Sequence, residues 1–121
     1  MFYKPQSKET GMMWDTWLYW HEGTYFLFYL AKSKSDERWD NVSLATSDNG
    51  VGWKEHGVIL SKSPDAVWMG TGSTWASPNF DDDGKFFINF SEWGEWQQTI
   101  FLGDSADLRR WTRLGGESEF K

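Results

Sequence analysis

The chain has 121 residues, the length of one small domain, and its formal net charge is −6. That charge argues against nucleic acid or an anionic membrane surface as a partner. The chain contains no cysteine and only two histidines, which excludes a disulfide framework and a thiolate zinc site. Aromatic residues make up 19% of the chain, ten of them tryptophan, so intrinsic disorder is excluded as well.

The first half of the chain predicts four short strands. The first two are rich in aromatic residues and are joined by a turn at 21–23 that ends in glycine. A charged loop at 32–40, expected to lie on the surface, separates the second strand from the third. A turn cluster at 47–50 separates the third strand from the fourth. These strands are predicted at 17–20, 24–30, 42–46 and 53–60.

The second half repeats this layout. Residues 23–29 match 84–90, and Trp14 matches Trp75 at the same offset. A four-stranded unit with a fixed glycine and tryptophan, repeating every ~40–60 residues, is typical of β-propeller blades. We therefore predict an all-β single domain of two four-stranded antiparallel blades, at about 12–62 and 67–115. No helix is predicted beyond one turn at 104–110.

Two blades leave two outer sheet faces uncovered. Repeat folds normally need ~3 or more units before neighbouring units cover one another. Three arrangements satisfy this constraint: a longer propeller of which the chain is a part, a ring closed by self-association, or a compact two-sheet monomer. Of these, a homo-oligomer is the predicted state of the isolated chain.

Membrane association and secretion find no support in the sequence. No stretch approaches the ~18 apolar residues of a spanning helix, and no charged start followed by an apolar run marks a secretory signal. Together with the lack of cysteine, this predicts a cytoplasmic protein. No metal and no cofactor are expected, because the acidic run at 81–83 lacks the spaced ligands of a calcium loop and predicts a hairpin turn instead.

A series of segments in order resembles the opening of the five-bladed propeller glycoside hydrolases, the clan of families 43 and 32. The segments are Trp-Asp-Thr-Trp-Leu-Tyr at 14–19, Gly-Thr-Tyr-Phe-Leu-Phe-Tyr at 23–29, Leu-Ala-Thr-Ser-Asp-Asn-Gly-Val-Gly-Trp at 44–53, Trp-Met-Gly-Thr-Gly-Ser at 68–73, Trp-Ala-Ser-Pro at 75–78 and Asp-Gly-Lys-Phe-Phe at 83–87. The resemblance covers nearly the whole chain, but only about the first two of the five blades.

The resemblance implies that Asp15 is the first carboxylate of the family's catalytic set, acting as general base or nucleophile. The general acid of the family comes from a later blade. Glycoside hydrolysis requires an ionised carboxylate and a separate carboxylic acid that donates a proton. Glu92 and Glu95 are the only local acids predicted on the same face as Asp15. We take Glu92 as the second catalytic residue, the alternative being a solvated loop glutamate.

Tryptophans near Asp15 are candidate sugar platforms, because indole faces stack on the apolar faces of sugar rings. Trp17 shares a strand face with Asp15, since side chains alternate along a strand. The resemblance adds Thr71 and Ser73, which match a segment that lines the sugar site. The predicted substrate-binding residues are Trp14, Trp17, Thr71, Ser73, Trp75, Trp93 and Trp96. Three further tryptophans, Trp20, Trp53 and Trp111, are expected in the core.

The predicted function is hydrolysis of, or binding to, a carbohydrate of the arabinose, xylose or fructose type. Two alternatives are a propeller module that binds carbohydrate without catalysis and an inactive hydrolase fragment.

Overall fold

Two antiparallel four-stranded sheets make up the protein, and in each the strands pair in chain order. The computed structural model describes residues 3–8, 10–33, 39–94 and 97–115. The first sheet contains β1 (Thr10–His21), β2 (Thr24–Ser33), β3 (Asn41–Ser47) and β4 (Lys54–Ser61). The second contains β5 (Trp68–Ala76), β6 (Phe86–Trp93), β7 (Gln98–Ser105) and β8 (Thr112–Arg113). The predicted fold class, all-β with two propeller-type blades, is confirmed.

The connection between β5 and β6 contains a short helix, α1 (Phe80–Asp83), where the sequence predicted a hairpin turn. The helix ends at Gly84, whose φ of +61° is left-handed and whose backbone N–H donates to the carbonyl of Phe80. Glycine adopts this conformation at little cost, so it closes the helical turn. Among the described residues, no helix is long and apolar enough to cross a membrane.

Residues 104–110, for which at most one helical turn was predicted, form the end of β7 and a bend. Asp107 organises this bend, because its carboxylate accepts hydrogen bonds from the backbone N–H groups of Arg109 and Arg110 at 2.9 and 2.8 Å. A turn held by a local aspartate thus replaces the predicted helical turn.

The main core lies between the two sheets. Alternate residues of β2 point into it, and they meet side chains from β5 and β6. The remaining residues of β2 face the other side of the first sheet, where Tyr3, Met13 and Trp53 cover them. Because both faces of β2 are covered, its central segment is an unbroken apolar run. The core residues of the two sheets are Phe26, Phe28, Leu30, Val42, Leu44, Leu60, Met69, Phe86, Ile88, Phe90 and Leu108.

The three tryptophans predicted in the core lie in three different environments. Trp111 packs on the main core, with its ring edge-on to Phe28 at 5.8 Å between centroids. Trp53 packs on the outer face of the first sheet against Tyr3. The prediction for Trp20 is wrong, because this side chain is 59% exposed. It alternates on β1 with Tyr19, and Tyr19 is the residue that packs against the core.

Two leucines test the role of the core between the sheets. Leu44 is fully buried in it, whereas Leu18 on β1 is 53% exposed. We expect Leu44→Ala to lower the free energy of unfolding by about 2–5 kcal/mol, because it leaves a cavity. The same truncation in Leu18→Ala should cost less than about 1 kcal/mol. Urea unfolding followed by tryptophan fluorescence measures both, and equal costs would contradict the assignment of the core.

Candidate functional site

A cavity of about 470 Å³ lies at one end of the sheets, where β1 approaches the start of β5. Its volume is within the range of small-molecule sites, roughly 300–1,000 Å³. Both halves of the chain line it, so packing of the two sheets creates it. The lining residues are Trp14 and Asp15 of β1, Trp39 before β3, Trp68, Met69 and Gly70 of β5, and Trp93 at the end of β6. We call it the tryptophan cavity.

A β-bulge brings Trp14 and Asp15 to this cavity together. The pairing of β1 with β2 shifts between Met13 and Thr16, so Trp14 and Asp15 both lie opposite Leu30. In a regular strand these two neighbours would point to opposite faces, whereas a bulge lets two residues oppose one. Both residues line the cavity, while Met13 packs on the outer face of the sheet.

The strand that opens the second sheet is irregular at the corresponding place. The pairing of β5 with β6 shifts between Gly70 and Ser73. A Cβ atom on Gly72 would overlap the backbone carbonyl oxygen of Asn89, so only glycine fits this bulge. The first strand of each sheet therefore departs from regular pairing beside the cavity. Bulges are often found next to functional sites.

Two pairs of indole rings form the walls. Trp14 stacks on Trp39 with 4.9 Å between ring centroids, and Trp68 is tilted against Trp93 at 5.9 Å. A backbone hydrogen bond of 2.7 Å from the N–H of Met69 to the carbonyl of Trp39 ties the first wall to the second sheet. Trp14, Trp68 and Trp93 are 53%, 43% and 40% exposed. Large aromatic surfaces left open around one cavity are typical of a binding site.

Asp15 is the single charged side chain among the described residues that line the tryptophan cavity. It is half-buried. Within the described part of the chain, its carboxylate accepts no hydrogen bond and forms no ion pair. Its oxygens therefore keep their capacity to accept hydrogen bonds from a ligand.

Glu92, predicted as the acid partner, lies elsewhere. Its side chain is 3% exposed and accepts hydrogen bonds from the backbone N–H and hydroxyl of Ser63, both at 2.7 Å. Nη1 of Arg113 donates to it at 2.8 Å. Adjacent strand residues point to opposite faces, so Trp93 reaches the cavity and Glu92 does not.

The electrostatics of Glu92 do not suit a proton donor. Burial alone would raise the pKa of Glu92, but the hydrogen bonds from Arg113 and Ser63 outweigh it and hold the pKa below its usual value. A general acid needs a raised pKa. Arg113 also donates to the carbonyl of Ser61 and lies over the ring of Phe90 at 4.8 Å. Arg113, which is paired with Glu92 in the second sheet, therefore links that sheet to the end of β4 in the first.

The other predicted substrate-binding residues are scattered. Trp17 lies deeper on the face it shares with Asp15, where it stacks on Phe28 and its Nε1 donates to Thr74 at 3.0 Å. Ser73 donates to the side-chain oxygen of Asn89. Neither Trp17 nor Ser73 lines the cavity.

Thr71 and Trp75 do not line the cavity either, and Trp75 packs against Phe87 at 6.0 Å between ring centroids. Two predicted residues, Glu95 and Trp96, lie outside the described residues.

Sequence reasoning missed Trp39 and Trp68. Trp39 belongs to the charged loop at 32–40, which was expected from the sequence to lie on the surface. The connection from β2 to β3 opens at the same end of the blade as the connection from β6 to β7. The strand order alone therefore places Trp39 at the same end of the blades as Trp93. Trp68 begins the segment of the second blade that resembles the hydrolases, which was the available signal for it.

Solved structures with a similar fold include glycoside hydrolases of the propeller families 43, 32, 130 and 117. A family 43 β-xylosidase/α-arabinofuranosidase from a compost metagenome, in complex with xylotriose, matches at a TM-score of 0.73 and 13% identity, covering 96% of this chain and 38% of that one. A family 32 β-fructofuranosidase of Bombyx mori matches at 0.70 and 21%, covering 92% and 24%. A family 130 glycoside hydrolase that targets β-1,2-mannosidic linkages in Candida mannan matches at 0.66 and 16%, covering 85% and 31%.

The chain has a propeller glycoside hydrolase fold. The resemblance inferred from the sequence is thus confirmed at the level of the fold. The chain spans well under half the length of each of these structures, as a partial propeller would. No protein-family model and no curated protein sequence matches it.

The buried Glu92–Arg113 pair should make the stability of the fold depend on pH. At pH 7, Glu92→Gln should lower the free energy of unfolding by about 3 kcal/mol, because it leaves Arg113 without its buried partner. A carboxyl whose pKa is lowered by folding stabilises the fold above its unfolded pKa, about 4.3 for glutamate. The stabilisation is lost as the pH falls through the folded pKa. The difference between parent and variant should therefore shrink between pH 5 and pH 3.

Urea unfolding at each pH measures this difference. The matched control is Glu22→Gln, because the side chain of Glu22 is 84% exposed and should contribute little at any pH. A Glu92→Gln variant as stable as the parent at pH 7 would contradict the structural role of the pair.

Proposed function

We propose that the tryptophan cavity is the carbohydrate site of a glycoside hydrolase-type protein, in which Asp15 is the ionised carboxylate. One observation carries this proposal. A half-buried carboxylate without a partner among the described residues lies in a cavity walled by four tryptophans. Indole faces stack on the C–H faces of sugar rings, and a free carboxylate accepts hydrogen bonds from sugar hydroxyls.

The chemistry of Asp15 depends on its distance from a proton donor. In a retaining reaction, the carboxylate attacks the anomeric carbon and forms a glycosyl ester while the departing oxygen takes the proton of the acid. In an inverting reaction, it removes a proton from the water that attacks the same carbon. Asp15 fits either role, since it lines the cavity and no cation among the described residues pairs with its carboxylate.

The proton donor is the missing component. Among the described residues, no second carboxyl group lines the cavity, and Arg113 and Ser63 occupy the oxygens of Glu92. Hydrolysis therefore requires an acid from outside the described residues, either in the same polypeptide or in a second copy. Self-association, predicted from the uncovered sheet faces, is one way to supply it.

The substrate class we propose is a glycoside of arabinose, xylose or fructose. The structural neighbours support this choice, because their names include a β-xylosidase/α-arabinofuranosidase and a β-fructofuranosidase. The second candidate function is carbohydrate binding without catalysis. The engagement of Glu92 by Arg113 favours this candidate for the isolated chain.

Turnover of 4-nitrophenyl xyloside, 4-nitrophenyl arabinofuranoside and sucrose tests the role of Asp15. If the chain hydrolyses any of them, Asp15→Asn should lower kcat by about 10²–10⁴-fold, the contribution of a general base. The matched control is Asp48→Asn, which removes an exposed carboxylate from the turn before β4 and should leave kcat unchanged.

Calorimetric titration with xylotriose completes the test. Binding without turnover by the parent favours the non-catalytic module. Turnover that survives in Asp15→Asn contradicts the role of Asp15, and neither binding nor turnover contradicts the proposed function as a whole. Light scattering on the active fraction, set against the 14.2 kDa monomer, shows whether an assembly is the active form.

A further inference from the structure

The tryptophan cavity has an unbalanced charge. Asp15 contributes a negative charge, and no lysine, arginine or histidine is among the described residues that line the cavity. The surplus of acidic residues over the whole chain, which gives the net charge of −6, has the same sign. A ligand that enters the cavity therefore meets a half-buried carboxylate whose charge the surrounding described residues leave uncompensated.

A second cavity of similar size provides a contrast. It measures about 480 Å³ and lies at the opposite end of the sheets, where the β1–β2 turn, α1 and the loop after β7 meet. Its lining includes the basic Arg109 and the acidic Glu22 and Asp107, together with His21. The lining of this second cavity is thus mixed in charge, whereas the tryptophan cavity has only the carboxylate of Asp15.

The walls of the tryptophan cavity also favour a positively charged ligand. Tryptophan is the aromatic side chain that attracts cations most strongly, because the face of its π-system is negative. Three of the four indoles are between 40% and 53% exposed, so much of their surface is available to a ligand. Aromatic walls combined with one carboxylate are the chemistry by which proteins recognise organic ammonium groups.

We infer that the tryptophan cavity prefers a sugar that carries a protonated amine over the neutral sugar of the same ring. This inference rests on the proposed function and specifies its ligand. The sugar ring stacks on one indole pair, and the ammonium group lies between the indole faces and the Asp15 carboxylate. A neutral sugar satisfies the hydrogen bonds of Asp15 but leaves its charge without a counter-charge.

The test compares three small ligands by calorimetry at pH 6, where a primary amine is protonated. Glucosamine carries the ring and the charge, N-acetylglucosamine carries the ring alone, and tetramethylammonium carries the charge alone. We expect glucosamine to bind about tenfold more tightly than each of the others, the equivalent of one additional cation interaction.

Substitutions of Asp15 identify the source of the preference. Asp15→Asn keeps the shape and removes the charge, so glucosamine and N-acetylglucosamine should then bind equally. Asp15→Glu keeps the charge and should keep the preference, and Asp48→Asn should behave like the parent. Near-ultraviolet circular dichroism, which reports on packed tryptophans, confirms that each variant is folded.

The outcomes separate this inference from the proposed function. Equal binding of both sugars by the parent protein overturns the charge preference and leaves carbohydrate binding intact. Binding of neither sugar overturns the inference, and the titration with xylotriose then decides separately on the proposed function. If tetramethylammonium binds as tightly as glucosamine, the sugar ring contributes nothing to binding and the inference is wrong. If the preference for glucosamine survives in Asp15→Asn, Asp15 is not its source and the inference is likewise wrong.

Discussion

Packing of the first sheet onto the second is the interaction on which the rest of the structure depends. The inward-facing residues of β2 and β3 meet those of β5 and β6 in one continuous core. The hydrogen bonds from Trp17 to Thr74, from Met69 to Trp39 and from Arg113 to Ser61 also join the two halves of the chain. Neither half contains the tryptophan cavity alone, because three of its lining residues come from the first half and four from the second.

The cavity combines two features that stability alone would not favour. Burying large apolar side chains stabilises a fold, yet Trp14, Trp68 and Trp93 remain substantially exposed. A half-buried carboxylate is usually paired, yet Asp15 has no partner among the described residues, whereas the buried Glu92 is fully engaged. The contrast between these two acids assigns them different roles. Glu92 is bound by Arg113 and Ser63 in the structure, and Asp15 has no such partner among the described residues.

The architecture was predictable from the sequence because it depends on local patterns. Alternating aromatic segments, the glycine turns and the internal repeat predicted two four-stranded blades, and the ordered motifs predicted the hydrolase fold. The site was predictable in part, for the same reason. Trp14 and Asp15 lie in the first half of β1 and Trp93 ends β6, so the topology alone brings them to the same end of the blades.

The other features of the site depend on contacts that local sequence patterns do not encode. The bulge in β1 turns Trp14 to the same side as Asp15, and no turn residue marks it in the sequence. Glu92 was assigned to the cavity because its loop lies nearby, but its orientation follows from pairing with Arg113, 21 residues further along the chain. Trp17 shares the face of Asp15 as predicted, but the core between the sheets covers it.

Fluorine NMR of protein labelled with 5-fluorotryptophan shows directly whether carbohydrate binds in the tryptophan cavity. Each tryptophan gives its own signal, and substitution by phenylalanine assigns the signals one at a time. On addition of xylotriose, we expect the signals of Trp14, Trp39, Trp68 and Trp93 to shift. The signals of the packed Trp17, Trp53 and Trp111 should stay where they are. Shifts confined to Trp20 or Trp75, with the four cavity signals unchanged, would contradict binding in the tryptophan cavity.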